Sequence, residues 1–121
     1  MNLPSVRDSI QKIEALDWLF DELVAQIEKD LNLSEDELKT SANNTSEILK
    51  FLEEKLVQII QNSPLGFSQI LYIIDVSELQ LKKKMSSGNY STFESLCSKE
   101  ILEREVKKVI LRNILNGKMT I

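Results

Sequence analysis

The chain has 121 residues, 42% hydrophobic and 28% charged, with a formal net charge of −4, values ordinary for one folded domain and unlike those of a disordered or low-complexity polymer. No apolar run approaches the roughly 20 residues that a membrane span needs, and a single cysteine, Cys97, excludes an intramolecular disulfide. There is no histidine, which removes Ser-His-Asp and Cys-His nucleophilic systems and every histidine-containing zinc or di-iron site.

Between Pro4 and Pro64 neither proline nor glycine occurs, so this stretch favours helix, which both residues interrupt from within. Val6, Ile10, Ile13, Leu16, Phe20, Leu23, Ile27 and Leu31 recur every three or four positions and predict one helix over about 4–31. The Met1–Asp8 segment lacks the basic and apolar parts of a secretory signal, and a cytoplasmic location is the expectation. Ser34 with Glu37 then forms a capping box, and Leu33 with Leu38 occupies the positions of a hydrophobic staple. Leu38, Ala42, Thr45, Leu49, Leu52, Leu56 and Ile59 continue in regular steps and predict a second helix over 35–62. The competing parse breaks it at Asn43-Asn44, with Asn44 or Thr45 as a new cap.

Ser63-Pro64 reads as a cap followed by proline at the first helical position, opening a short helix over 64–75. Its apolar run at Ile70–Ile74 could also be a buried strand, but a lone strand has no pairing partner. Ser77 with Gln80 caps a fourth helix, 78–87, which Gly88 stops. Ser91 with Glu94 opens a fifth, 92–116, ending before Gly117. Residues 1–121 are thus expected to form one all-α domain, a bundle of about five helices in the order long, long, short, short, long, the first two as an antiparallel hairpin.

Charge is unevenly distributed: the first 60 residues hold 13 acidic and 6 basic side chains, the remainder 6 and 9. Opposite patches of this kind steer association. In the basic half, Lys82, Lys83, Lys84 and Arg112 are candidate phosphate contacts. Residues 70–88 have a helix-turn-helix outline, although Asp75 stands where glycine is usual, Leu71 where a small residue is usual and Lys84 where an apolar one is usual. The Glu35-Asp36-Glu37 run has the plainer role of complementing a helix dipole. Ser9-Ile10-Gln11-Lys12 matches S-x-x-K by spacing alone, with neither of the accompanying elements of that chemistry. Cys97 lies near an apolar stripe, where cysteine behaves as a small hydrophobe. A reactive thiol there would need exposure and a depressed pKa. No metal, cofactor or catalytic residue is expected.

Leu71-Tyr72-Ile73-Ile74-Asp75-Val76-Ser77-Glu78 and Ile101-Leu102-Glu103-Arg104-Glu105-Val106-Lys107-Lys108-Val109 resemble two segments of a group of short, uncharacterised bacterial all-helical proteins. The resemblance spans about residues 64–112 and implies a helical fold without implying an activity. Glu103, Arg104, Glu105, Lys107 and Lys108 form (i, i+4) sets on the last helix and are a candidate charged docking face. The expectation is a non-enzymatic protein-interaction or assembly module whose partner is another protein or a second copy of itself; the alternative is binding of nucleic-acid or phosphate groups by the basic half.

Overall fold

The computed structural model describes residues 3–120, so Met1, Asn2 and Ile121 of the expected 1–121 domain lie outside the described residues. The described residues form six helices and no strand: α1 Val6–Ala15, α2 Asp17–Asp30, α3 Thr45–Asn62, α4 Pro64–Ile74, α5 Glu78–Ser86 and α6 Phe93–Leu115. None is long and apolar enough to cross a membrane.

The helix expected over 4–31 is two helices. Leu16 adopts an extended conformation (φ −124°, ψ 109°), ending α1 and starting α2. Its carbonyl accepts from Leu19 N and Phe20 N, both at 3.0 Å, so the new helix begins without a side-chain cap. The physical reason is tertiary. A straight helix over 4–31 would run about 40 Å, whereas the bend lets α1 and α2 pack on each other and both lie against α6. The apolar stripe changes phase there, with Leu16 half out in solvent and Leu19 fully buried.

The helix expected over 35–62 also divides, at the competing position. Leu33 packs against the core and Leu38 is buried within it, as the staple requires, and Ser34 N donates to Glu37 Oε1 at 3.1 Å. Asp36, however, sits in the left-handed region (φ 60°), so residues 35–41 form successive turns instead of a helix. Glu28 of α2 holds these turns, accepting from Leu38 N and Lys39 N at 2.9 and 3.1 Å. Asn44 is the N-cap of α3: its Oδ1 accepts from Glu47 N at 2.9 Å, while Asn43 N donates to Glu47 Oε1 at 2.8 Å. Glu14 of α1 fixes the same junction by accepting from the Thr45 N–H and hydroxyl, at 2.8 and 2.5 Å.

The remaining boundaries follow the expected signals closely. Ser63 accepts from Gly66 N with Pro64 at the first helical turn, Ser77 accepts from Gln80 N, and Gly88 and Gly117 take positive φ beyond α5 and α6. The α6 cap is Thr92, accepting from Ser95 N, one residue later than the Ser91 expected.

α6 is the axis of the bundle and packs against each of the other five helices. The expected hairpin between the first two long segments is not the organising unit, because α2 and α3 are not a packed pair; each lies on α6. One cluster of buried apolar side chains runs through all six helices, from Ile13 through Leu23, Leu52, Leu71 and Leu81 to Val109. With 23 residues, α6 is about 35 Å long and can carry that cluster from end to end.

The Asn44 cap generates a direct test of the α3 boundary. Asn44→Ala should lower the unfolding free energy by about 1 kcal/mol, whereas Asn43→Ala, which leaves its backbone hydrogen bond intact, should change it by less than about 0.5 kcal/mol. Urea titrations of the two variants distinguish a capped start at residue 44 from a helix running straight through.

Candidate functional site

Three places on the molecule hold groups that its packing does not account for: a cleft beside α5, a polar seam between α2 and α6, and the outer side of α4.

The cleft has a volume of about 300 Å³ and runs between the α4–α5 turn, α5 and α6, with Val6 at its N-terminal edge. α4 ends at Asp75, whose left-handed backbone (φ 67°, ψ 49°) lets Val76 N return to the Leu71 carbonyl at 2.8 Å. An aspartate there takes the place of the glycine that is usual because it tolerates this conformation better than most residues. The turn directs Asp75 toward α6, where its Oδ2 accepts from Arg104 Nη2 at 2.6 Å. Lys84 of α5 makes a second tie to α6 through Glu100, and hydrogen bonding to Glu100 raises the Lys84 amine above its ordinary range. Glu103 and Lys107 complete the charged lining and Val76 and Leu81 its apolar part. The segments 71–78 and 101–109 therefore meet in space, joined by Asp75 and Arg104.

The five residues of the candidate docking face divide between two sides of α6. Glu103, Arg104 and Lys107 line the cleft, whereas Glu105 is fully buried and Lys108 turns toward α2. The four candidate phosphate contacts do not converge. Lys82 and Lys83 project into solvent from α5 and Lys84 is engaged with Glu100. Arg112 lies about 18 Å further along α6 than Glu100, from twelve residues of helical rise, and donates to Gln26 Oε1 at 2.7 Å and Glu22 Oε2 at 3.1 Å.

The seam was not foreseen as a unit. On α2, Glu22, Gln26 and Asp30 follow at steps of four and so share one face; on α6, Glu105, Lys108, Arg112 and Asn113 face them. Lys108 Nζ donates to Asp30 Oδ2 at 2.7 Å and stands 3.8 Å from Glu105 Oε1. Gln26 Nε2 donates to Asp30 Oδ2 at 3.0 Å, and Asn113 Nδ2 to Glu22 Oε2 at 2.5 Å and the Val109 carbonyl at 2.8 Å. Both Glu105 carboxyl oxygens are buried and accept no hydrogen bond from any donor among the described residues. Burial first, then the neighbouring Asp30 carboxylate with its negative charge, push the Glu105 carboxyl up to about 8. Asp30 moves oppositely: burial opposes its charge, but the neighbouring Glu105 carboxyl and the hydrogen bonds from Lys108 and Gln26 outweigh that and hold it below the ordinary value. The spacing of three between Glu105 and Lys108 was visible in the sequence, but their burial was not.

α4 has a buried side, Phe67, Leu71 and Ile74, and an outer one. Leu65, Gln69, Tyr72 and Ile73 recur at steps of four, three and one, so they share the outer side. Leu65 is 72% exposed, Tyr72 87% and Ile73 56%, and Leu79 at the start of α5 is 62% exposed. Ser68, Gln69, Tyr72 and Ile73 border a shallow depression. Trp18, which lies off the main stripe, is also exposed.

Among the described residues no cluster of His, Cys, Asp and Glu has the geometry of a metal site. No family model, curated protein or solved structure matches the chain.

The environment of Cys97 gives a second test. It is fully buried on α6, and desolvation, followed by the charges of Glu94, Glu100 and Glu78, pushes its thiol up to about 12. Thiolate is the reacting species, so the native protein should be inert toward a disulfide reagent at mildly alkaline pH and should react fully once urea unfolds it. Rapid labelling in the native state would contradict the burial.

Proposed function

We propose that this chain is a non-enzymatic assembly module that pairs with a second copy of itself through the outer side of α4. The observation that carries the reading is the exposed row Leu65, Tyr72 and Ile73 on α4, a helix whose other side already supplies the core, with Leu79 exposed at the start of α5. Contiguous apolar surface left in water marks an interaction site more often than a packing fault, and tyrosine is favoured in such positions because its ring buries well while its hydroxyl keeps a polar contact.

A second copy is the occupant favoured by charge. Pro64–Ile74 contains no Asp, Glu, Lys or Arg. In a twofold pair the same patch faces itself, so any charge near its centre would meet its like, and this patch has none to meet. The charged residues stand at its rim, where Asp75 is already paired with Arg104 and Glu78 accepts from the Ser68 hydroxyl. The cleft beside α5 contributes less to this reading, because two of its three cations, Lys84 and Arg104, already have carboxylate partners.

Sedimentation equilibrium tests the proposal. The native chain should show a monomer–dimer equilibrium at micromolar concentration, little affected by salt because the contact is apolar. Ile73→Asp combined with Tyr72→Ala should weaken it at least about tenfold, the loss of roughly 1.4 kcal/mol or more that hot-spot residues cause, with helical circular dichroism unchanged. A native chain that stays monomeric to about millimolar concentration would overturn it.

A second reading, contact with nucleic-acid phosphates, is favoured by one feature: the left-handed Asp75 gives α4 and α5 the tight turn of a helix-turn-helix, with Lys82 and Lys83 free in solvent on α5. A mobility shift with duplex or single-stranded DNA at low salt that vanishes in Lys82→Glu/Lys83→Glu would support it. No shift at low salt would remove it.

A further inference from the structure

We propose that Glu105 is carried inside the bundle as the neutral acid and donates a hydrogen bond to the Asp30 carboxylate, so that α2 and α6 are joined by a latch whose grip weakens as the solution turns alkaline. The geometry carries this. Glu105 is 0% exposed and Asp30 7%, and each belongs to a different helix of a packed pair. Neither Glu105 oxygen receives a hydrogen bond from a donor among the described residues. An ionised carboxylate in that position would be a buried charge with four unfilled acceptor sites and one ammonium 3.8 Å away, a costly arrangement. The neutral acid instead supplies a donor, and the carboxylate beside it is an acceptor.

The surrounding charges divide the two roles. Asp30 accepts from Lys108 Nζ and from Gln26 Nε2, which suits it to hold the negative charge. The charged groups acting on Glu105 are Asp30 from α2, which disfavours its ionisation, and Lys108 and Arg112 from α6 itself, which favour it. Arg112 is occupied by Glu22 and Gln26, and Lys108 is shorter in its distance to Asp30 than to Glu105. One cation therefore serves two carboxyls, and a proton supplies the remainder. When that proton passes to hydroxide, two carboxylates share Lys108 in a desolvated seam, and separation of α2 from α6 lets water reach both.

The direction with pH follows from the two displacements. Glu105 in the folded protein titrates at about 8, above its ordinary 4.5, so the native state holds a proton that the unfolded chain has lost throughout that interval. Stability from this group is complete below the ordinary value and is lost as pH rises through the folded one. Asp30, lowered from 3.8, has the opposite sign: its contribution is present above that value and is lost as pH falls through the lowered one. The seam is firmest in mildly acidic solution.

Carbon-13 NMR of the side-chain carboxyls reads the latch in the intact native protein. One carboxyl should titrate near pH 8 and should be missing in Glu105→Gln. Asp30→Asn, which takes away the neighbouring negative charge, should move that midpoint downward by roughly one unit or more. In urea unfolding, the ratio of native to Glu105→Gln unfolding constants should rise about tenfold per pH unit between roughly pH 5.5 and 7.5 and level off above the midpoint. Because the carboxyl titration uses the unmodified chain, it decides the matter even where a variant does not fold. A native spectrum in which every carboxyl titrates below about pH 6, or a ratio of unfolding constants independent of pH, would overturn the proposal.

Discussion

The burial of α6 on several sides is the constraint to which the other helices answer. Ten of its positions are buried, among them Leu96, Ile101, Leu102, Val106, Val109 and Ile110, and each of the other helices covers part of it. Some of these inward-facing positions are polar, and such residues must find partners inside the protein. Asn113 does so with Glu22 and the Val109 carbonyl, and Ser98 with the Ser95 carbonyl. Glu105 has no hydrogen-bond donor among the described residues and only Lys108 Nζ at 3.8 Å, and the proton proposed to be shared with Asp30 answers that need. The polar seam is thus a consequence of making one helix the axis of the bundle.

The same constraint explains why helices that look long in the sequence are short in the fold. A straight α1–α2 helix would overhang the 23-residue α6, and a straight helix over 35–62 would carry Leu38 away from the core it occupies. Breaks at Leu16 and at Asp36–Asn44 return both chains to the axis. The second break is held by carboxylates acting across elements: Glu28 of α2 on the Leu38 and Lys39 amides, and Glu14 of α1 on Thr45. Glutamate is an efficient agent here because an ionised acceptor makes a stronger hydrogen bond to an orphan amide than a neutral one does.

Local signals were legible where they were self-contained. Ser63-Pro64, Ser77 with Gln80, Gly88 and Gly117 each act through bonds or backbone angles within one turn, and a residue pattern suffices to read them. Leu16 has no such signature. Its extended backbone follows from what α1 and α2 touch, and apolar spacing alone cannot separate a stripe that continues from one that ends and resumes three residues later at Leu19. Glu105 and Lys108 show the same limit at the level of chemistry. In the sequence they belong to an evenly charged segment with Glu103, Arg104 and Lys107, and only the direction each side chain takes from α6 sends Glu103, Arg104 and Lys107 to the cleft and Glu105 inward.

The outer side of α4 stands in contrast to this economy of partners. Elsewhere in the second half of the chain, charges are tied across helices, Asp75 with Arg104 and Lys84 with Glu100, while α4 carries none to tie. A chain with net charge −4 repels its own copy at long range, but at physiological ionic strength that repulsion decays over about 8 Å. Inside that distance the local surface decides the outcome. An apolar row free of charge adds no repulsion of its own and gains by leaving water, so the neutral helix is the part of the surface on which two copies can meet at least electrostatic cost. That places the two unusual features of the molecule on separate helices: a carboxyl pair hidden where α2 meets α6, and greasy side chains shown to solvent on α4.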